Sequence, residues 1–499
     1  MDTFNHLTLG FGVALTPLCL LYCFCGVALG TLIGVLPGLG PVATIAMLLP
    51  VTFSLPPVAA LIMLAGIYYG AQYGGSTTSI LVNLPGEASS VVTCLDGYAM
   101  ARQGRAGPAL SIAAIVSFFA GCVSTLVLAL FAPPLAEVAF KFGSAEYFSL
   151  MVLGLIAAVV LARGSLLKAI SMVFLGLLLG LVGTDVNSGL SRFTFNISEL
   201  ADGIGFVTVA MGMFGFAEVI SNLELREKRE VFTSHVHGLM PTKSDLKSSW
   251  KPVLRGTGIG MMLGILPGGG AILSSFASYT LEKRVAKDPS RFGQGAIEGV
   301  AGPESANNAG AQTSFIPLLT LGIPPNAVMA LMIGAMTIHG ITPGPQVMSE
   351  RPELFWGMIA SMWVGNLMLV VLNLPLIGIW VRLLTVPYRL LYPAILLFCC
   401  IGVYSINNAP MDVILTAFFG LLGYFLNKLD CEPAPLLLGF ILGPMMEENL
   451  RRAMLYSRGD PSVFFTRPIS LGMLVAAGFL LLLTIIPAFS RKRKEAFSE

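Results

Sequence analysis

Charged side chains are the scarcest class in this sequence. Asp, Glu, Lys and Arg together make up 11% of its 499 residues, against about 25% in an average soluble domain. The shortage is uneven. Thr3 to Gly86 contains no charged residue at all, and a second such run extends from Ser305 to Ser349. With 55% apolar residues and a mean hydropathy of +0.81, this composition excludes a soluble fold. It leaves a polytopic membrane protein. The net charge of +2 excludes a strongly basic surface, so no nucleic-acid partner is expected. No G-x-x-x-x-G-K-[ST] loop is present, which excludes a Walker ATP site, and H-E-x-x-H is missing too. No serine elbow stands beside a suitable His and acid. The eight cysteines have no zinc or redox spacing and read as small packing residues. A basic leader is also lacking before the first apolar segment, which is therefore expected to be retained.

Glycine and proline, by contrast, are abundant at 55 and 31 residues, and they are patterned. Gly34-Val35-Leu36-Pro37-Gly38-Leu39-Gly40 returns as Gly264-Ile265-Leu266-Pro267-Gly268-Gly269-Gly270. A lipid-crossing helix has no reason to carry Pro-Gly at mid-depth unless its backbone must break there. Paired breaks at corresponding positions of two half-chains point to a transporter binding site. A second pair follows: Gly70-Ala71-Gln72, then Ser76-Thr77-Thr78 and Asn83-Leu84-Pro85-Gly86, against Asn307-Asn308, then Gly310-Ala311-Gln312-Thr313-Ser314 and Pro324-Pro325-Asn326. The Gly-Ala-Gln triplets are 240 residues apart.

These segments predict a backbone site. Amides freed at half-helix starts favour an anion, carbonyl ends suit a small cation, and Ser, Thr, Asn and Gln add neutral ligands. The predicted substrate- and ion-binding residues are Pro37, Gly38, Gly40, Gly70, Gln72, Ser76, Thr77, Thr78, Asn83, Pro85, Gly86, Pro267, Gly268, Gly269, Gly270, Asn307, Asn308, Gln312, Thr313, Ser314, Pro324 and Asn326. Helix–helix packing competes for every single Gly, Ser and Thr among them. No resident metal or cofactor is expected; the coupling ion is Na⁺ or H⁺. Glu87, Asp96, Glu298 and Glu304 are the acids nearest the motifs, and His339 reads as a packing histidine before a proton relay.

The chain divides into a first membrane half, 1–222, a polar cytoplasmic linker, 223–254, and a second half, 255–499. The expected fold is all-α, with 10–12 transmembrane segments, broken helices or re-entrant hairpins, and an inverted internal repeat. Clear spans are Leu110–Ala136, Tyr147–Ala162, Ile204–Ala217, Phe355–Trp380, Val413–Asn427 and Pro468–Ser490, with Leu391–Tyr404 and Pro433–Met446 less distinct. Basic residues cluster in alternate loops and in Arg491-Lys492-Arg493-Lys494, which places those loops and the C-terminus in the cytoplasm. Arg451, Arg452 and Arg458 fit this map less well. Basic loops on both sides of Gly256–Thr280 make that segment a hairpin, or else one kinked span.

Gly38-Leu39-Gly40, Tyr73-Gly74-Gly75-Ser76-Thr77-Thr78, Asn83-Leu84-Pro85-Gly86-Glu87-Ala88 and Leu95-Asp96-Gly97-Tyr98-Ala99-Met100-Ala101-Arg102-Gln103-Gly104 resemble the large membrane subunit of tripartite tricarboxylate transporters, the TctA family. So do Pro303-Glu304-Ser305-Ala306-Asn307-Asn308-Ala309, Ile316 to Pro324, Ile338-His339-Gly340 and Glu447-Glu448-Asn449-Leu450-Arg451-Arg452. The resemblance covers about residues 20 to 470. It implies a permease of the bacterial inner membrane, driven by an ion gradient. Its implied partners are a small four-helix membrane subunit and a periplasmic solute-binding protein that delivers citrate-like or other carboxylates. Pro324-Pro325-Asn326 departs from the family's usual Pro-Gly. A stand-alone carboxylate transporter without a receptor is the alternative.

Overall fold

The computed structural model describes residues 3–36, 40–162, 165–185, 188–224, 238–266, 270–383 and 388–485. About four-fifths of the described residues are helical. The only strands among the described residues are Gly183–Thr184 and Ser191–Arg192, an antiparallel pair with Gly183 opposite Arg192. Many of the prolines that interrupt the apolar runs open helices. Pro17, Pro41, Pro57, Pro352, Pro410, Pro433 and Pro468 stand first in theirs. A first-turn proline gives up an N–H that has no helical partner anyway.

The charge-free N-terminal run folds as four helices: Thr3–Ala14, α1 (Pro17–Val35), α2 (Pro41–Thr52) and α3 (Pro57–Val82). Two of them have 12 residues, which reach ~18 Å at 1.5 Å per residue, short of the ~30 Å hydrocarbon core. The run therefore mixes full-length and broken helices. Later come α4 (Ala106–Ala139), α5 (Lys243–Gly264), α6 (Gly270–Val285), α7 (Glu298–Thr313), α8 (Ala327–Ile338) and α9 (Pro433–Tyr456). Four helices among the described residues are long and apolar enough to cross a membrane, and six more apolar helices have 10–17 residues. The chain is an all-α polytopic membrane protein.

Two corrections to the expected spans have simple causes. Phe355–Trp380 is two helices, Pro352–Asn373 and Ile377–Leu383, separated by a turn after Asn373. An apolar helix at Leu166–Gly180 lies outside the predicted set because Lys168 stands in its first turn. There the lysine ammonium donates to the Leu429 carbonyl at 2.6 Å, at the exposed end of the helix.

Close packing is built on glycine. α1 crosses α3 with Gly26, Gly30 and Gly34 against the carbonyls of Met63, Ile67 and Ala71. α5 crosses α7 with Gly256, Gly260 and Gly264 against those of Gly302, Ala306 and Gly310. A Cβ at any of the six would overlap a carbonyl oxygen, so the helices touch backbone to backbone. α5 and α6 also pack on each other and on α7. The chain at 256–280 is thus a helical hairpin, since the two arms of one kinked span would not lie side by side.

Candidate functional site

Helix starts surround one cavity. It measures about 580 Å³ and is lined by Gly40 and Pro41 at the start of α2, Gly270 and Ala271 at the start of α6, Asn326 and Ala327 at that of α8, and Glu432 and Pro433 at that of α9. The Pro85-Gly86-Glu87 break completes this ring. Each helix start carries unpaired amide N–H groups and the positive end of the helix dipole, about half a charge. No Lys or Arg is among the lining residues. Its acids are Glu87, Glu218 and Glu432. The cavity therefore offers an anion amide donors and four dipole ends, with three acids among its lining.

Two lining side chains occupy matching places. Asn83 ends α3 in the left-handed conformation with φ 58°, and Gly322 does the same with φ 72° before the second break. Four residues beyond each, Glu87 and Asn326 are helix caps with nearly identical backbones, φ −147° and −152°. Asn326 accepts from Met329 N at 3.0 Å and donates to Ser314 Oγ at 3.2 Å. Glu87 Oε2 accepts from Gln72 Nε2 at 3.1 Å, and Ser89 Oγ donates to Gln72 Oε1 at 2.6 Å. Glu87 Oε1 is buried without a partner.

The predicted site residues separate into three groups. Gly40, Gln72, Pro85, Gly86, Gly270 and Asn326 line the cavity. Pro37, Gly38, Pro267, Gly268 and Gly269 lie outside the described residues. The remainder do not line it. Gly70 is pressed against Val27 O and the Gly30 backbone. Thr78 donates to Val35 O at 2.9 Å, at the end of α1. Thr77 donates to its own helix, as do Thr313 and Ser314. Asn83 is an exposed cap and Pro324 is buried in the break. Ser76, Asn307 and Asn308 are fully or almost fully buried around Glu304, one layer away from the cavity. Gln312 is fully buried with both amide atoms unpartnered.

The two glutamines thus differ, and register explains it. Met63, Ile67 and Ala71 precede Gly302, Ala306 and Gly310 by 239 residues, as Pro85 precedes Pro324, whereas the Gly-Ala-Gln triplets are 240 apart. One residue is about 100° around a helix. Contact register therefore points Gln72 into the cavity and Gln312 elsewhere.

Sequence reasoning passed over Tyr68, Ser89, Glu218, Asn427 and Glu432, all in the lining. Glu432-Pro433 ahead of an apolar run signals a helix start, but nothing local says what it faces. Asp96 is a larger surprise. It is fully buried, and its Oδ1 accepts from the backbone amides of Gly293, Gly295 and Ala296 at 2.8–2.9 Å, while Tyr279 donates to Oδ2 at 3.0 Å. His339 caps the far end of α8 and is not among the residues that line the cavity.

Residues 20–438 match the Tripartite tricarboxylate transporter TctA family. An uncharacterized 52.8 kDa protein in the TAR-I ttuC' 3' region of Agrobacterium vitis is 60% identical over 499 residues, all of this chain and 99% of its own. A second uncharacterized protein, from the TAR-II ttuC' 3' region of Agrobacterium vitis, is 61% identical over 240 residues, 48% of this chain and 99% of its own. No solved structure matches the chain. The chain belongs to the TctA family, the large subunit of tripartite tricarboxylate transporters.

Proposed function

We propose that this chain imports carboxylates, citrate-like tricarboxylates or related organic acids, by spending a Na⁺ or H⁺ gradient. It sits in the bacterial inner membrane with its C-terminus in the cytoplasm. It works with a small four-helix membrane subunit and receives substrate from a periplasmic solute-binding protein. Four helix N-termini around a cavity with acids and no lysine or arginine carry this reading. Amides and dipoles bind carboxylates without a buried cation of the protein's own. The charge of a carboxylate substrate is then balanced by ions that travel with it.

The two halves, 1–222 and 255–499, are read as duplicates of inverted topology. What supports this is the recurrence of the glycine contacts at offsets of 230 in the first helix and 239 in the second. Gly40 and Gly270, which follow the two Pro-Gly motifs, both line the cavity. Gly38→Leu and Gly268→Leu should abolish uptake of labelled citrate or a related acid while leaving the protein in the membrane. Normal uptake by both variants would refute a tip site. In proteoliposomes holding the complete system, uptake should require an imposed Na⁺ or H⁺ gradient. Uptake driven by ATP alone would overturn the mechanism.

A further inference from the structure

Glu304 is buried completely in α7, and none of its side-chain partners is charged. Oε2 is 2.6 Å from Ser76 Oγ and 3.4 Å from Asn307 Nδ2, and Oε1 contacts Thr93 Oγ1 more closely still. Ser76 lies on α3 and Thr93 follows the first break, so elements of both halves close on this carboxyl.

Burial without a cation among its partners bears on the state of Glu304. Ser76 has one hydroxyl hydrogen and two oxygens in reach, the Gln72 carbonyl at 2.9 Å and Glu304 Oε2 at 2.6 Å. With Glu304 ionised, Ser76, Thr93 and Asn307 all donate to it while the helix amide of Ser76 serves Gln72 O. A charge is then buried with no cation to offset it. With a proton on Oε2, the carboxyl donates to Ser76 Oγ, Ser76 donates to Gln72 O, and Thr93 donates to Oε1. Every contact is then met without net charge. A metal cation does not fit between these oxygens. Ligands ~2.4 Å from a Ca²⁺-sized ion stand about 3.4 Å apart at right angles, whereas 2.6 Å is the separation of two oxygens sharing one hydrogen.

Tyr73, Glu87 and Cys94 are the titratable groups near enough to feel the charge of Glu304. Asp96 is held by backbone amides. On α5 and α6, Arg255 and Glu282 pair with each other at 2.8 Å. α4 contributes only the neutral Ser117. Gln72, one turn from Ser76, reaches Glu87 in the cavity.

We propose that Glu304 is a proton-binding site, held as the neutral acid in this conformation, whose proton passes to water when α3 and α7 part, making H⁺ the coupled ion. This deepens, and rests on, the reading of the chain as a gradient-driven permease.

Infrared spectra of the purified full chain test the first half without any transport. A protonated-carboxyl band at neutral pH should shift on ¹³C-glutamate labelling and vanish in Glu304→Gln. In Thr93→Val, which keeps the acid, it should move to higher frequency as its carbonyl loses a partner. If no band responds to these changes, Glu304 is not a neutral acid and the proposal falls. The second half is read in vesicles with the partner subunits. Glu304→Gln should lose pH-gradient-driven accumulation yet keep exchange of substrate down its gradient. Accumulation retained in Glu304→Gln, or driven in the native chain by Na⁺ alone, overturns H⁺ coupling. If the native system moves no carboxylate under any gradient, the transport reading fails and with it the coupling role. The band then still decides whether Glu304 is neutral.

Discussion

At the scale of single residues, Glu87 and Asn326 show how the two breaks differ. Both cap the element that follows, and both face the cavity, yet one is an acid and the other an amide. A neutral second cap keeps a corner of the cavity favourable to an anion. Asn326→Asp preserves the capping oxygen but adds a charge. At ~6 Å and an effective dielectric near 20, repulsion of a substrate carboxylate costs ~2.8 kcal/mol, about 100-fold in affinity. Substrate binding to the native and Asn326→Asp chains should show this loss with little change in melting temperature. Equal affinities would remove Asn326 from the anion's surroundings. Residue identity alone did not reveal these roles. Ser76 and Thr78 are of similar chemistry two positions apart, but one contacts a buried acid and the other a helix-end carbonyl.

At the scale of elements, glycine spacing was legible and its meaning divided. Gly26, Gly30 and Gly34, like Gly256, Gly260 and Gly264, recur every four residues along one helical face, the pattern of backbone-to-backbone contact. Helix packing accounts for them, and for Gly70. Among the described residues the chain breaks at Pro85-Gly86 and between Gly322 and Pro325. Pro133, Pro134, Pro252 and Pro303 lie inside continuous helices, so proline alone does not end a helix here. A substitution pair separates packing from mere presence. Gly30→Leu should destabilise the detergent-solubilised protein by at least the ~1–3 kcal/mol of an overpacked core, since its Cβ would meet Ile67 O. Gly258→Ala on α5 meets nothing within 4 Å and should be neutral or stabilising by up to ~1 kcal/mol. Similar melting temperatures for the two variants would contradict the glycine-built crossing. Basic residues marked loops less cleanly than glycine marked crossings. Arg451 is held by Glu447 at 2.6 Å and Asp185 at 3.0 Å, so its charge is locally matched and says little about sidedness.

At the scale of the whole molecule, Asp96 ties residues some 200 positions away. Three amides between Gly293 and Ala296 converge on one carboxylate oxygen. Hydrogen bonds to a charged acceptor exceed neutral ones by roughly 1 kcal/mol each, so Asp96→Asn should cost about 3 kcal/mol in sum. Its signature is a lower melting temperature with the helical content of the native state unchanged. An unaltered melt would mean that the latch contributes nothing. The amino-acid sequence by itself determined the solvent, the helical class, the breaks at Pro85-Gly86 and Pro324-Pro325 and the family. Each of these follows from local chemistry: hydropathy over a span, proline's missing donor, glycine's missing side chain. Only the tertiary structure decided which polar residues share a cavity. That choice depends on helix register, where one residue turns a side chain by about 100° and separates Gln72 from Gln312. It also decided that Glu304 and Asp96 are buried partners of distant backbone and hydroxyl groups, because burial is a property of what packs around a residue and not of the residue.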